Sequence, residues 1–187
     1  MTLPQAKRLN ARQAGRVSAR GFDLIAKQKR INPKLVREIL LNATNEYLIG
    51  KVLGYVIEKA QKGEASAVNS LSKLVSEGFN PNSKIRGMVL AGMRFMTRAN
   101  DLRTLPVLLI ALNDSVTENR LEALRRFIEL AEKGEDKAMF GFVKGINDPV
   151  FENHLLALRG IQILSEQNNP DAIRFLKLYK RRKGGRL

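Results

Sequence analysis

Apolar residues recur along this chain with a helical period. Leu121, Leu124, Phe127, Ile128 and Ala131 fall on one side of a 3.6-residue turn, and so do Leu155, Leu158, Ile161 and Leu164. Period-2 alternation is absent, so the pattern predicts helices and no sheet. The helical stretches also repeat. Asn113-Asp114, Val116, Glu118, Asn119, Leu121, Ala123, Leu124, Arg125 and Leu130 recur 34 residues later as Asn147-Asp148, Val150, Glu152, Asn153, Leu155, Ala157, Leu158, Arg159 and Leu164. Ala138 recurs as Ala172, Leu90 aligns with Leu124, and Arg86 with Arg120. In the same register Leu71, Leu74 and Val75 align with Leu105, Leu108 and Leu109. Units of 46–79, 80–113, 114–147 and 148–181 follow, with a degenerate unit ahead of them. Leu74, Val75, Leu90, Leu108, Leu109, Leu124, Leu130, Leu158 and Leu164 are the expected core.

Each unit reads as a long helix followed by a short one. Asn32-Pro33, Asn80-Pro81, Asp148-Pro149 and Asn169-Pro170 each set a capping side chain before a proline at a first helical position. Ser115 and Glu118 have capping-box spacing. Gly63, Gly78 and Gly134 are placed to end helices, whereas Gly87 and Gly92 should interrupt one. Helical pairs that cannot bury their apolar faces alone must stack on their neighbours. Asp114, Arg120 and Ala123, matched in part by Asn80 and Arg86 and by Asp148, His154 and Ala157, give residues 46–181 a pattern that resembles HEAT/armadillo-type helical repeats. Tetratricopeptide repeats share the 34-residue period, but their Trp, Leu-Gly and Tyr signature is missing. The resemblance implies an all-α fold, a right-handed α-solenoid of about four to five antiparallel helix pairs. Residues 41–179 would form it, between a basic arm with lead-in helix at 1–40 and a basic tail at 180–187.

Composition narrows the chemistry. The chain has 187 residues and no cysteine, which removes disulfides, thiolate metal sites and cysteine nucleophiles. Its longest apolar run, Leu105–Leu112, has eight residues, against the roughly 20 of a membrane span. An apolar signal-peptide region does not follow Met1. The Arg-rich, acid-free stretch 1–22 also has the composition of a mitochondrial presequence. A reducing compartment (cytoplasm or nucleus) or a virion suits the absence of cysteine, with the mitochondrial matrix as the alternative. The single histidine, His154, has no cysteine or acid cluster beside it, and its repeat position suggests a surface or interhelix polar contact. Glu132, Glu135 and Asp136 alternate with Lys133 and Lys137 and read as a self-neutralising turn. No hydroxyl has a base partner and no glycine-rich phosphate loop occurs, so the sequence suggests neither an enzyme nor a cofactor.

Charge gives the functional signal. The net charge is +15; residues 1–40 hold ten Lys/Arg against two acids, and residues 174–187 hold seven against none. The span between them is neutral. Lys7 stands beside the first of Arg8, Arg12, Arg16 and Arg20, which recur every fourth residue, a spacing that lines guanidiniums along a helix for phosphate contact. Lys27, Lys29 and Arg30 follow. Arg174, Lys177, Lys180, Arg181, Arg182, Lys183 and Arg186 form the second cluster. These are the candidate nucleic-acid-binding residues. Aromatic residues are sparse in both arms, which predicts phosphate contact with weak sequence preference. The expected partner is therefore DNA or RNA. Alternatives are a structural component of a large assembly, whose arms thread between neighbouring subunits, and an adaptor that docks proteins on its short helices.

Overall fold

A computed structural model describes residues 22–27, 30–43 and 46–182. Among the described residues the fold is all-α, without strands. After a helical turn at 22–26 come α1 (Pro33–Asn42), α2 (Glu46–Gln61), α3 (Ala65–Leu74), α4 (Ser83–Arg98), α5 (Thr104–Ala111), α6 (Thr117–Glu132), α7 (Met139–Gly145), α8 (Phe151–Glu166) and α9 (Pro170–Arg182). A 3₁₀ turn at Asp136–Ala138 leads into α7. None of these helices is long and apolar enough to cross a membrane. The even-numbered helices through α8 are 16 residues each and pack on one another in chain order, α2 on α4, α4 on α6, and α6 on α8. The short helices do likewise, α1 on α3, α3 on α5 and α5 on α7, and each long helix also packs on the short helix after it.

The four long helices end in the same way. The residue two positions beyond each is left-handed: Gly63 (φ 89°), Asn100 (φ 54°), Gly134 (φ 80°) and Asn168 (φ 66°). Its N–H bonds the carbonyl three residues back, and the following N–H reaches five back, as in Glu64 to Lys59 (3.0 Å) and Glu135 to Leu130 (3.0 Å). These are Schellman motifs, which favour glycine and tolerate asparagine. Gly63 and Gly134 were expected there. Gly78 instead lies in the turn after α3.

Helix starts divide into two kinds. Asn32 caps α1 by accepting from Lys34 and Leu35 N–H, with Pro33 in the first turn. Asn169 accepts from Ala172 N–H at 2.9 Å at the start of α9. Asn80-Pro81 and Asp148-Pro149 do not start helices: α4 begins after Asn82 and α8 after Val150. The side chains of Asn80, Asp114 and Asp148 turn the chain two residues ahead of each cap, accepting from Asn82, Val116 and Val150 N–H at 3.3, 2.9 and 2.9 Å. The Ser115–Glu118 capping box does not form, because the Ser115 hydroxyl donates to Glu77 at 2.7 Å across the junction between units.

The 34-residue register holds from Asn80 onward and fails before it. Buried Ala67, Leu71, Leu74 and Val75 correspond to Thr104, Leu108, Ala111 and Leu112, an offset of 37. The three additional residues lie in the link from Ser76 to Asn82. Eight of the nine expected core leucines and valines are buried, whereas Leu109, placed by the wrong offset, only packs at the edge of the core. Gly87 and Gly92 do not break α4. A Cβ on Gly87 would stand 2.8 Å from Asn119 Oδ1 and one on Gly92 would collide with Ile57, so these glycines let neighbouring long helices approach closely.

The core also extends ahead of the repeats. Ile25, Ile31, Val36, Ile39 and Leu40 are buried with it. The Phe22 ring meets Tyr55 edge-on at 5.7 Å, and Ile31 N–H donates to Ser66 Oγ at 3.0 Å.

Candidate nucleic-acid interface

The fourth residue of each long helix sets the polar character of its junction with the next. In α4 it is Arg86, 1% exposed. Arg86 Nε and Nη2 donate to the two oxygens of Asp114 at 2.6 and 2.8 Å, and Nη1 donates to the Asn80 carbonyl at 2.9 Å. Asp114 also accepts from Val116 N–H and from Asn119 Nδ2 at 3.0 Å. One unit later, Arg120 repeats the arrangement on Asp148 at 2.7 and 3.0 Å, with Val150 N–H and Asn153 Nδ2 completing the acceptor shell. Burial alone would raise the pKa of either carboxyl. Hydrogen bonds from the arginine, the backbone and the asparagine outweigh it, and both aspartates are held below their ordinary value. Bonding to the aspartates raises Arg86 and Arg120 in turn.

Both ends of this series lack the Arg–Asp pair. The fourth residue of α2 is Ile49, and the position of Asp114 is filled one unit earlier by Asn80, which donates to the Leu74 carbonyl at 3.0 Å. At the other end the fourth residue of α8 is His154. Its Nδ1 lies 2.7 Å from the Ile146 carbonyl and its Nε2 lies 2.8 Å from Tyr179 Oη on α9. A carbonyl only accepts, so Nδ1 donates to it, and Nε2 shares its hydrogen bond with the phenol. The interhelix role expected for His154 is thus met by an aromatic partner. Phe151 lies nearly parallel to His154 (11°, 6.3 Å between centroids), and Tyr179 is stacked with Phe175 (18°, 6.0 Å).

Among the candidate binding residues, Lys7, Arg8, Arg12, Arg16, Arg20, Lys29, Lys183 and Arg186 lie outside the described residues. Arg182 is the last helical residue of α9. Lys27 and Arg30 are exposed ahead of α1, and Arg30 shares a hollow with Glu64, Ala65 and Ser66. Arg174, Lys177, Lys180 and Arg181 are exposed on α9. Arg174, Lys177 and Arg181 share one face by their spacing, with half-exposed Leu178 between them. The fold does not gather Lys27 and Arg30 with them, since α1 packs on α2 and α3 while α9 packs on α8.

Pairing separates these cations from many in the middle of the chain. Arg86, Arg120 and Arg126 are buried or nearly so against carboxylates, and Arg98, Arg103 and Arg125 are paired at the surface. Among the described residues, no carboxylate forms an ion pair with Arg174, Lys177, Lys180 or Arg181. Sequence reasoning missed the Arg–Asp junctions, although their signal was present: an arginine followed 28 residues later by an aspartate, at 86/114 and again at 120/148. It also missed the Phe151–His154–Tyr179 cluster, in which Tyr179 of α9 joins two residues of α8. Compared with protein-family models, with curated proteins and with solved structures, the chain matches none.

Proposed function

We propose that this is a non-enzymatic nucleic-acid-binding protein whose basic ends grip phosphates with little sequence preference. Its body is a right-handed α-solenoid of HEAT-like helix pairs. The chain-order packing of long on long and short on short helices supports the solenoid reading. One observation carries the binding reading. The exposed cations of α9 have no carboxylate partner among the described residues, while the buried arginines between the repeats are neutralised by carboxylates. Unpaired, solvated cations are available to displace counterions from phosphates at small desolvation cost.

A salt titration of binding tests this. Each phosphate contact contributes about −0.9 to the log–log slope on duplex DNA, so eight engaged cations would give about −7. Replacing Arg8, Arg12, Arg16 and Arg20 together by Ala should flatten the slope by about 3–4, and so should replacing Arg174, Lys177, Lys180 and Arg181. The losses should be similar on unrelated sequences, because phosphate contacts carry no base information. Absence of binding at about 50 mM salt, where phosphate contacts are strong, would overturn the reading and favour arms that grip protein neighbours in an assembly. The adaptor reading has its own support in exposed Ile110, Phe140 and Val143 on the short helices. Loss of a protein partner on Phe140→Ala, with nucleic-acid binding intact, would favour it.

A further inference from the structure

We infer that the end of the body formed by α8 and α9 is a stacking platform for an unpaired nucleobase, so that the preferred ligand is single-stranded. This rests on the nucleic-acid reading above. The first residues of α2, α4 and α6 are Glu46, Ser83 and Thr117, all polar; the first residue of α8 is Phe151, 72% exposed. Phe151 lies outside the core cluster, and its ring contact is with His154. Its support is fixed. The ring lies nearly parallel to His154, and that imidazole is held at both nitrogens, at 2.7 and 2.8 Å. Tyr179, which holds one of them, is itself stacked with Phe175. A platform ordered in advance loses little side-chain entropy when a base settles on it.

The adjoining helix α9 carries the cations, with Arg174, Lys177 and Arg181 on the face turned away from Tyr179. Lys180 and Arg181 directly follow Tyr179, and Lys177 and Arg174 precede it on the same helix, none of them ion-paired among the described residues. Glu152, the acid next to Phe151, lies instead in the groove it shares with Arg125 and Arg159. Single-strand sites combine base stacking on an aromatic ring with cations that follow the phosphates, and α8 and α9 supply one each. A duplex offers the cations its phosphates but keeps its bases stacked inside, so Phe151 should discriminate between the two forms.

The experiment measures anisotropy of the full chain with three labelled probes: an oligothymidylate, an abasic strand of equal length, and a mixed-sequence duplex. Phe151→Ala should weaken oligothymidylate binding about tenfold, leave the duplex within about twofold, and bring oligothymidylate down to the abasic strand. Phe151→Trp should restore the preference and shows that loss of fold is not the cause. Equal effects of Phe151→Ala on all three probes, or an abasic strand bound as tightly as oligothymidylate by the unaltered chain, would overturn the platform alone. Failure of the unaltered chain to bind any probe would overturn the nucleic-acid reading beneath it.

Discussion

Arg86 and Asp114 join two repeats through a pair that is almost fully buried. Such a pair is not stronger than well-packed apolar groups, but removing one member strands the other, at about 3–5 kcal/mol. Arg86→Ile should therefore lower unfolding stability by that amount in denaturant titrations. Adding Asp114→Asn should recover most of the loss, because the first junction already combines Ile49 with Asn80 at these positions. A double variant as unstable as the single one would mean that the arginine acts through packing rather than charge. The aspartates also set the acid response. Their folded pKa values lie below the unfolded ones. The stability they contribute is therefore complete above the unfolded carboxyl pKa of about 3.9 and is lost as pH falls through the folded value. Thermal midpoints measured from pH 5 downward should fall in the natural chain and fall less steeply in the Arg86→Ile, Asp114→Asn double variant.

Helix type and helical pairing were legible because burial repeats with the turn of the helix, and Gly63 and Gly134 marked two of the four Schellman ends. Boundaries were less legible wherever a distant partner intervened. Asp114 and Asp148 look like caps, yet arginines 28 residues upstream bind them, and the helices start later. The first unit was misaligned because its additional residues lie in a link that no apolar period crosses. Two neighbouring leucines separate the offsets. Leu108 is fully buried and Leu109 is not, so Leu108→Ala should cost about 2–5 kcal/mol, while Leu109→Ala should cost about 1 kcal/mol. Equal losses in equilibrium unfolding would return the short helix to the 34-residue register. The aromatic cluster had a weaker signal: Phe151 and His154 stand three residues apart on α8, but Tyr179 meets His154 only through the packing of α9 on α8.

At the scale of the molecule, charge and core overlap more than the sequence suggests and do not separate at residues 41 and 173. Residues 22–40 belong to the charged end, yet Ile25, Ile31, Val36, Ile39 and Leu40 are buried with the repeats. At the other end Phe175 and Leu176 pack on the core, and Tyr179 bonds His154. A chain cut to 41–173 gives up all of these, and each lost large apolar side chain is a deficit of kilocalories. It should melt at a lower temperature and with less cooperativity than the full chain. A chain cut to 22–182 keeps every buried residue named above and should melt at a higher temperature and more cooperatively than the 41–173 fragment. That second fragment also divides binding from folding. It retains Arg174, Lys177, Lys180 and Arg181 but lacks Lys7, Arg8, Arg12, Arg16, Arg20, Lys183 and Arg186. Its nucleic-acid affinity should therefore persist at low salt with a shallower slope, by about 0.9 for each removed cation that touched a phosphate. A fragment that folds like the full chain and binds with an unchanged slope would assign the phosphate contacts to the helical body alone.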